Sequence, residues 1–178
     1  MRVRRRERGD HGAAAVEFAL VVPVLVLLVL GIVDYGIFFV DTTGARQGVR
    51  EGARQGVVEN FPSAACADPS VAPTGSDPDL NQLACQTLKD MGIIGGRAFL
   101  RIEAVPDWEE NADLLLCAAV DETALTGYTP LPRGGDIRSV FRMRIEQADD
   151  APPGRGEAYT DPSAGGASQP SGGWAWCA

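Results

Sequence analysis

Four cysteines and one glutamate are the side chains whose types and positions offer chemistry in this sequence. The cysteines, Cys66, Cys85, Cys117 and Cys177, form no CxxC pair, and the single histidine, His11, lies far upstream, so zinc binding has no support. Exported proteins commonly pair their cysteines, whereas cytosolic proteins keep them reduced. We therefore predict two disulfides, with free buried thiols as the alternative. Proximity in sequence favours Cys66 with Cys85 and Cys117 with Cys177.

The glutamate, Glu17, lies within an apolar run. Residues 13–33 carry one charge, and as a helix they would cover about 30 Å, the hydrocarbon thickness of a bilayer. A carboxylate at the edge of that layer costs about 1 to 3 kcal/mol unless it is paired or close to the headgroups. Either Glu17 belongs to the polar flank, or it pairs with a positive charge at the same depth. A new N-terminal ammonium would supply that charge if the chain were cut just before Ala13.

The charges on either side of the apolar run predict its orientation. Five arginines precede it, whereas Asp34 and Asp41 come before any basic residue on the other side. The positive-inside rule therefore predicts a cytoplasmic N-terminus and an extracytoplasmic body, in agreement with the predicted disulfides. The run is longer than the apolar region of a secretory signal peptide, so cleavage by ordinary signal peptidase is not expected. Pro23 ordinarily kinks a helix, although membrane helices tolerate proline.

The residues from the basic leader into the apolar run resemble a known family. The stretch GAAAVEFALVVPVLVLLVLGIVDYG is similar to the TadE-like family, the minor pseudopilins of tight-adherence (Flp) pili, and the resemblance extends over residues 9–58. It implies cleavage by a prepilin peptidase between Gly12 and Ala13, which leaves Glu17 at position five and Phe18 at position six. It also implies that the Glu17 carboxylate meets the N-terminal ammonium of a neighbouring subunit. Major Flp pilins usually carry tyrosine where Phe18 stands, which favours a minor subunit.

The same resemblance implies the partners and the function. The partners are prepilin peptidase, other pilin and pseudopilin subunits, the pilus assembly platform and the membrane. The function is that of a minor pilin or pseudopilin that enters or primes a Flp-type pilus. The alternative is a single-pass membrane protein that keeps its leader and displays a small extracytoplasmic binding domain. The spacing of Gly12 and Glu17 supports the first, and only a chance match supports the second.

Glycines recur every four residues beyond the apolar run, at Gly44, Gly48, Gly52 and Gly56. A helix places them on one face, and each costs about 0.8 to 1 kcal/mol relative to alanine, so this glycine stripe predicts close approach of another backbone. We expect that backbone to be the domain's own sheet, with another helix as the alternative. Arginines on another face are interpreted as solvated, or alternatively as contacting anionic headgroups or acidic neighbours. They are Arg46, Arg50 and Arg54.

The pattern changes to short strands in the body of the chain. Residues 97–105 and 136–147 alternate apolar and polar side chains, and residues 112–120 form a short buried run. A short helix is predicted near residues 80–91. Three antiparallel strands cannot hide an apolar face alone, but a helix laid across them can. We predict an α+β, pilin-like fold, in which the outer half of a long N-terminal helix packs on a small, disulfide-stapled antiparallel sheet.

The predicted organisation has five segments. A leader that is removed precedes a transmembrane helix, its continuation outside the membrane, a small exported α+β domain, and a flexible Pro-, Gly- and Ser-rich tail with a C-terminal anchor. Their bounds are 1–12, 13–40, 41–58, 59–148 and 149–178. Cys177 in the terminal WAWCA predicts that the tail is fixed to the body. The alternative is an exposed adhesive tip formed by Trp174 and Trp176.

The sequence contains no catalytic or cofactor-binding motif. GxSxG, Walker A, GxGxxG and HExxH patterns are absent. The leader holds five arginines and two acidic residues, so without it the formal charge changes from −8 to −11, which argues against nucleic acid as a partner. We expect no enzymatic activity, no cofactor and no metal. We interpret the abundant carboxylates as a solvated acidic surface. Examples are Asp107, Glu109, Glu110, Asp121 and Glu122.

Overall fold

The computed structural model of the chain describes residues 11–59, 61, 78–146, 148, 170 and 172–177. Within these residues the protein has two α-helices, three β-strands and a short 3-10 turn. In chain order the elements are α1 (His11–Val57), α2 (Pro78–Met91), β1 (Gly96–Val105), β2 (Asp113–Glu122), the turn (Pro132–Gly135) and β3 (Asp136–Arg144).

The first helix, α1, runs unbroken for 47 residues, about 70 Å at the usual rise per residue. It continues through Pro23, whose missing N–H removes only one of the helix's backbone hydrogen bonds. The segments predicted as 13–40 and 41–58 therefore lie in one helix. Side chains in residues 12–33 are mostly exposed, whereas from Asp34 onward one face of the helix is buried.

The three strands form one antiparallel sheet in the order β1-β2-β3. Gly96 pairs with Glu122 and Asp136 pairs with Asp121, so these pairs mark one end of the sheet. Residues 114–120 of the central strand are all buried. This explains why that strand reads as a continuous apolar run: both of its faces are covered.

One face of the sheet packs against the helices. α1 lies across β2 and β3, and α2 lies against α1 and β1. Leu100 and Ile102 from β1, and Leu114 and Leu116 from β2, are fully buried in this core. The α+β fold predicted from the sequence, with the outer half of the N-terminal helix on a small antiparallel sheet, is confirmed.

The other face of the sheet is covered by the end of the chain. Trp174 and Trp176 pack on Phe99 of β1, and Cys177 forms a disulfide with Cys117 of β2. The predicted Cys117–Cys177 bond and the attachment of the tail to the body are confirmed. Because both tryptophans are half-buried against the sheet, an exposed adhesive tip does not fit this structure.

The remaining predictions fall partly outside the described residues. Cys85 in α2 is disulfide-bonded, but its predicted partner, Cys66, lies outside the described residues, so that pairing stays a prediction. The leader up to residue 10 and most of the tail also lie outside them. The predicted strands and the short helix are confirmed with small shifts in their ends. The third strand ends at Arg144, before the predicted residue 147.

Candidate functional site

The first half of α1 extends from the folded body without contacts to it. Phe18 is 70% exposed, and the large aliphatic side chains that follow it are exposed in the same way around the helix. Among the described residues, this is the one helix that is long and apolar enough to cross a membrane. An apolar surface of this extent requires lipid or other apolar helices as its surroundings. We call residues 12–33 the inner half of α1 and residues 34–57 its outer half.

Glu17 is exposed on the inner half of α1. It forms no hydrogen bond or ion pair within the part of the chain that the structure describes. Gly12 and Ala13, the predicted cleavage site, lie in the first turns of the helix and are exposed, and a β-carbon on Gly12 would have no atom within 4 Å. Gly12, Ala13 and Glu17 therefore lie on the same segment of α1, which has no contact with the rest of the described structure.

The glycine stripe lies where α2 comes closest to α1. A β-carbon at Gly48 would lie 2.5 Å from Cγ and 2.9 Å from the backbone nitrogen of Met91. One at Gly44 would meet the Met91 carbonyl oxygen, and one at Gly52 would meet the side chain of Thr87. Real β-carbons do not approach other atoms this closely, so the two helices could not pack at this distance with larger residues.

Only the last glycine of the stripe reaches the sheet. A β-carbon at Gly56 would lie 2.7 Å from Cδ2 of Leu114 in β2. The prediction that the stripe lies against the sheet is therefore wrong for the other three glycines, which lie against α2. The reason is that an adjacent stripe on α1, with small or β-branched apolar residues, is already buried in the core. These residues are Ala45, Val49, Ala53 and Val57.

The arginine face of α1 points away from both α2 and the sheet. Arg46, Arg50 and Arg54 are all exposed. Arg54 pairs with Glu51 one turn earlier, at 3.0 Å, and both side chains remain well exposed. Surface pairs of this kind contribute little to stability, so the arginine face is solvated within the described structure.

Asp34, the first residue after the apolar run, anchors the loop between β2 and β3 (residues 123–135). Its Oδ2 accepts hydrogen bonds from the hydroxyls of Thr126 and Thr129, the latter at 2.6 Å, and its Oδ1 accepts one from the Thr126 backbone N–H. The hydroxyl of Tyr35 donates to the carbonyl oxygen of Pro130 at 2.9 Å. Asp34 is buried, and these charge-assisted bonds satisfy its carboxylate. The loop is held at the height where the apolar run ends.

Asp41 anchors the loop between α2 and β1 (residues 92–95). Its two carboxylate oxygens accept hydrogen bonds from the backbone N–H groups of Ile94 and Gly95, at 2.9 and 2.8 Å. Asp41 is fully buried, and it lies seven residues, about two turns, after Asp34, so both aspartates project from one face of α1. Two loops at the same end of the sheet are thus attached to this face.

Glu122, the last residue of β2, completes this group of carboxylates. It is 4% exposed, and its Oε2 has no hydrogen-bond partner. Burial first, and then the negative charges of Asp41 and Asp34, raise the pKa of Glu122 to about 7. The interpretation of Glu122 as part of a solvated acidic surface is wrong. Side chains alternate between the two faces of β2, and Leu116, Ala118 and Val120 face the helices. Glu122 follows in the same alternation, so it faces the helices too.

Asp34 and Asp41 hold the loops of the domain on α1, whereas Glu122 is a buried neighbour of both, and the three carboxylates do not form a metal centre. No group of three or more histidine, cysteine, aspartate or glutamate side chains is placed to bind a metal ion within the described residues. Sequence reasoning used Asp34 and Asp41 only as flanking charges. The sequence did contain a pattern that indicates this role. Asp34 and Asp41 are about two helical turns apart, and Phe38, which lies between them, is buried on the same face. The buried residues that follow Gly44 continue this face.

The fold and these contacts together define a class of protein, in which a small domain is built on the outer half of a long helix whose inner half is apolar and unaccompanied. Residues 12–54 match the model of a family described as TadE-like protein. The resemblance found in the sequence is confirmed over this range, which begins at Gly12, includes Glu17 and ends within the glycine stripe. The strands lie outside the match. Comparison with curated proteins found no match, and neither did comparison with solved structures.

Proposed function

We propose that this protein is a minor pilin or pseudopilin of a tight-adherence (Flp-type) pilus, anchored by α1 after prepilin peptidase cuts between Gly12 and Ala13. The match to the TadE-like family suggests a protein associated with a Tad pilus. One observation supports the finer proposal: Gly12, Ala13 and Glu17 lie on the inner half of α1, which is apolar and exposed around the helix, and Glu17 has no partner among the described residues. The role is one of assembly and not of catalysis.

Charge pairing explains how Glu17 would act in such an assembly. Cleavage before Ala13 would create an ammonium four residues from Glu17, close to the same depth in the bilayer. A buried charge is costly alone and far less costly when it is paired with an opposite charge and hydrogen-bonded. The ammonium of one subunit would pair with the Glu17 carboxylate of the next, and the pair would lower the free-energy cost of burying either charge. Because the two charges must meet, their pairing fixes the register between neighbouring helices.

The orientation follows from the charges that flank the helix. The leader with five arginines stays in the cytoplasm, and the domain with its disulfides lies outside. In this position α1 contacts lipid before assembly and other pilin or pseudopilin helices after it. The assembly platform would meet the same inner half of α1.

N-terminal sequencing and intact mass of the protein from its native membrane or pilus fraction test the cleavage. We expect a chain that begins at Ala13. Gly12→Leu should abolish this product, because a peptidase that reads a glycine before the cut has no room for a branched side chain. Gly31→Leu is the matched control, since it makes the same change on the inner half of α1, where an added β-carbon also has no atom within 4 Å, and it should be cleaved normally.

A chain that still begins at Met1 would overturn the proposal. It would identify a fixed single-pass membrane protein with a displayed disulfide-bonded domain. Cleavage of the Gly12→Leu protein at the same site would show that the peptidase does not require glycine at position 12.

A second experiment tests the pairing of Glu17. Glu17→Ala should leave membrane insertion unchanged, because it only increases the apolar character of the helix, but it should strongly reduce the protein in sheared pilus fractions. Glu51→Ala, which removes an exposed carboxylate from the outer half of α1, is the control. Equal incorporation of the two variants would refute a role of Glu17 in assembly.

A further inference from the structure

The exposed apolar side chains outside α1 are concentrated at one end of the domain. Six large hydrophobic residues beyond α1 are exposed among those described, and three of them are less than half exposed. The other three are Ile94, Leu125 and Tyr128, at 70%, 76% and 81%. All three lie in the two loops that Asp34 and Asp41 attach to α1.

The height of these loops along α1 is set by hydrogen bonds. The β2–β3 loop is bonded to Asp34 and Tyr35, the first two residues after the apolar run. The tip of this loop, with Leu125 and Tyr128, is therefore level with the end of the apolar run. Ile94 and Leu125 line one small cavity together with Ile37 of α1, so the two loops and the helix form a continuous surface.

The composition of the loop fits the boundary of a bilayer. Residues 123–132, TALTGYTPLP, contain no charged side chain, although the whole chain carries a net charge of −8. Tyrosine has an apolar ring and a polar hydroxyl and is enriched at membrane–water boundaries, and leucine at this depth gains contact with acyl chains. The hydroxyls of Thr126 and Thr129, which lipid could not satisfy, are bonded to Asp34.

We propose that Leu125 and Tyr128, with Ile94 beside them, insert into the headgroup region of the same bilayer that holds α1. The domain is then docked on the membrane surface through the β2–β3 loop and not only tethered by its helix. The occupant of this surface is phospholipid, and the surface is continuous with the apolar face of α1. This inference rests on the membrane location of α1 in the proposed function.

Depth measurement with nitroxide labels tests the docking. No described cysteine is free, so the full chain with Leu125→Cys or Tyr128→Cys offers one new thiol for labelling in phosphatidylcholine vesicles. Leu25→Cys on the inner half of α1 marks the bilayer interior. Val58→Cys, at an exposed apolar position just after the end of α1, is about 35 Å from Asp34 along the helix axis, and it marks water.

The readout is the ratio of relaxation by oxygen to relaxation by a water-soluble nickel complex. We expect this ratio at positions 125 and 128 to be several-fold higher than at position 58 and lower than at position 25. A ratio equal to that at position 58 would overturn the docking while position 25 still reports a spanning helix. Spin–spin broadening at 125 or 128, which indicates contact between two copies, would overturn it too. If position 25 also reports water, the membrane location itself is refuted.

Discussion

The two halves of α1 carry opposite kinds of helix surface. The inner half, residues 12–33, has large aliphatic side chains that contact nothing in the body, and a β-carbon at Gly31 would have no atom within 4 Å. The outer half, residues 34–57, contains five glycines, two alanines, two aspartates and two threonines, and one side of it is buried by α2 and the sheet. The glycine stripe of the outer half marks a contact within the chain, and the exposed large aliphatic side chains of the inner half mark a surface whose partners lie outside the described residues.

Removal of the terminal disulfide should lower the free energy of unfolding of the domain on the outer half of α1 and leave the inner half unchanged. The Cys117–Cys177 bond closes a separation of 60 residues, and chain entropy gives about 4 kcal/mol for a loop of this length. The double variant Cys117→Ser, Cys177→Ser should lose stability of this size. Thermal unfolding of the full chain in detergent, followed by near-ultraviolet circular dichroism of the three tryptophans, measures it.

The double variant is preferable to a reducing agent because Cys85 is also disulfide-bonded. The control is far-ultraviolet circular dichroism of the same sample, which should retain the signal of the inner half after the domain has melted. An unchanged melting temperature would show that the packing of the two tryptophans, and not the disulfide, holds the end of the chain.

A single methyl group should distinguish the glycines of the two halves. Gly48→Ala places a β-carbon 2.9 Å from the Met91 nitrogen and 3.0 Å from its Cα. Backbone atoms cannot move aside as a side chain does, so α2 must shift, at a cost of about 3 kcal/mol, the upper end of the usual range for overpacking. Chemical denaturation of the domain in the full chain measures this loss.

Gly31→Ala is the matched control for Gly48→Ala. The added methyl group enters open space at Gly31 and improves helix propensity, so the unfolding midpoint should not fall. Equal midpoints for the two variants would mean that α2 does not lie against the glycine stripe as described.

The sequence predicted the parts of this structure that depend on local pattern. Apolar length predicted the helix, alternation predicted the strands, and proximity predicted the bond between Cys117 and Cys177. The partner of the glycine stripe was predicted wrongly because spacing shows that a face needs a close neighbour but not which element supplies it. Met91 lies more than forty residues from Gly48, and the sequence around either residue does not indicate that the two are in contact.

The buried carboxylates were missed for a different reason. Aspartate and glutamate are rarely buried, so composition alone assigns them to the surface. Asp34 and Asp41 are buried because backbone N–H groups or hydroxyls from distant loops reach them. Those donors are brought there by the sheet, and their positions cannot be read from residues near the helix.

The smallest expected effect concerns Glu122, where the outer half of α1 meets the end of the sheet. Its pKa of about 7 in the folded chain exceeds the ordinary value of 4.5, so the folded chain binds the proton more tightly than the unfolded chain does. The free energy of unfolding should therefore fall as the pH rises from about 4.5 to about 7 and then level off. Glu122→Gln should remove this slope and stabilise the domain at pH 8 by about 2 kcal/mol.

Chemical denaturation at pH 5 and pH 8 measures this change, with Glu110→Gln, at an exposed loop position, as the matched control. The two variants should differ at pH 8 and agree at pH 5, where Glu122 is largely protonated in the folded chain. Equal stabilities at pH 8 would mean that the Glu122 carboxylate is solvated. In that case Asp34 and Asp41 would hold their loops without a buried negative charge beside them, and the predicted pH dependence would be wrong.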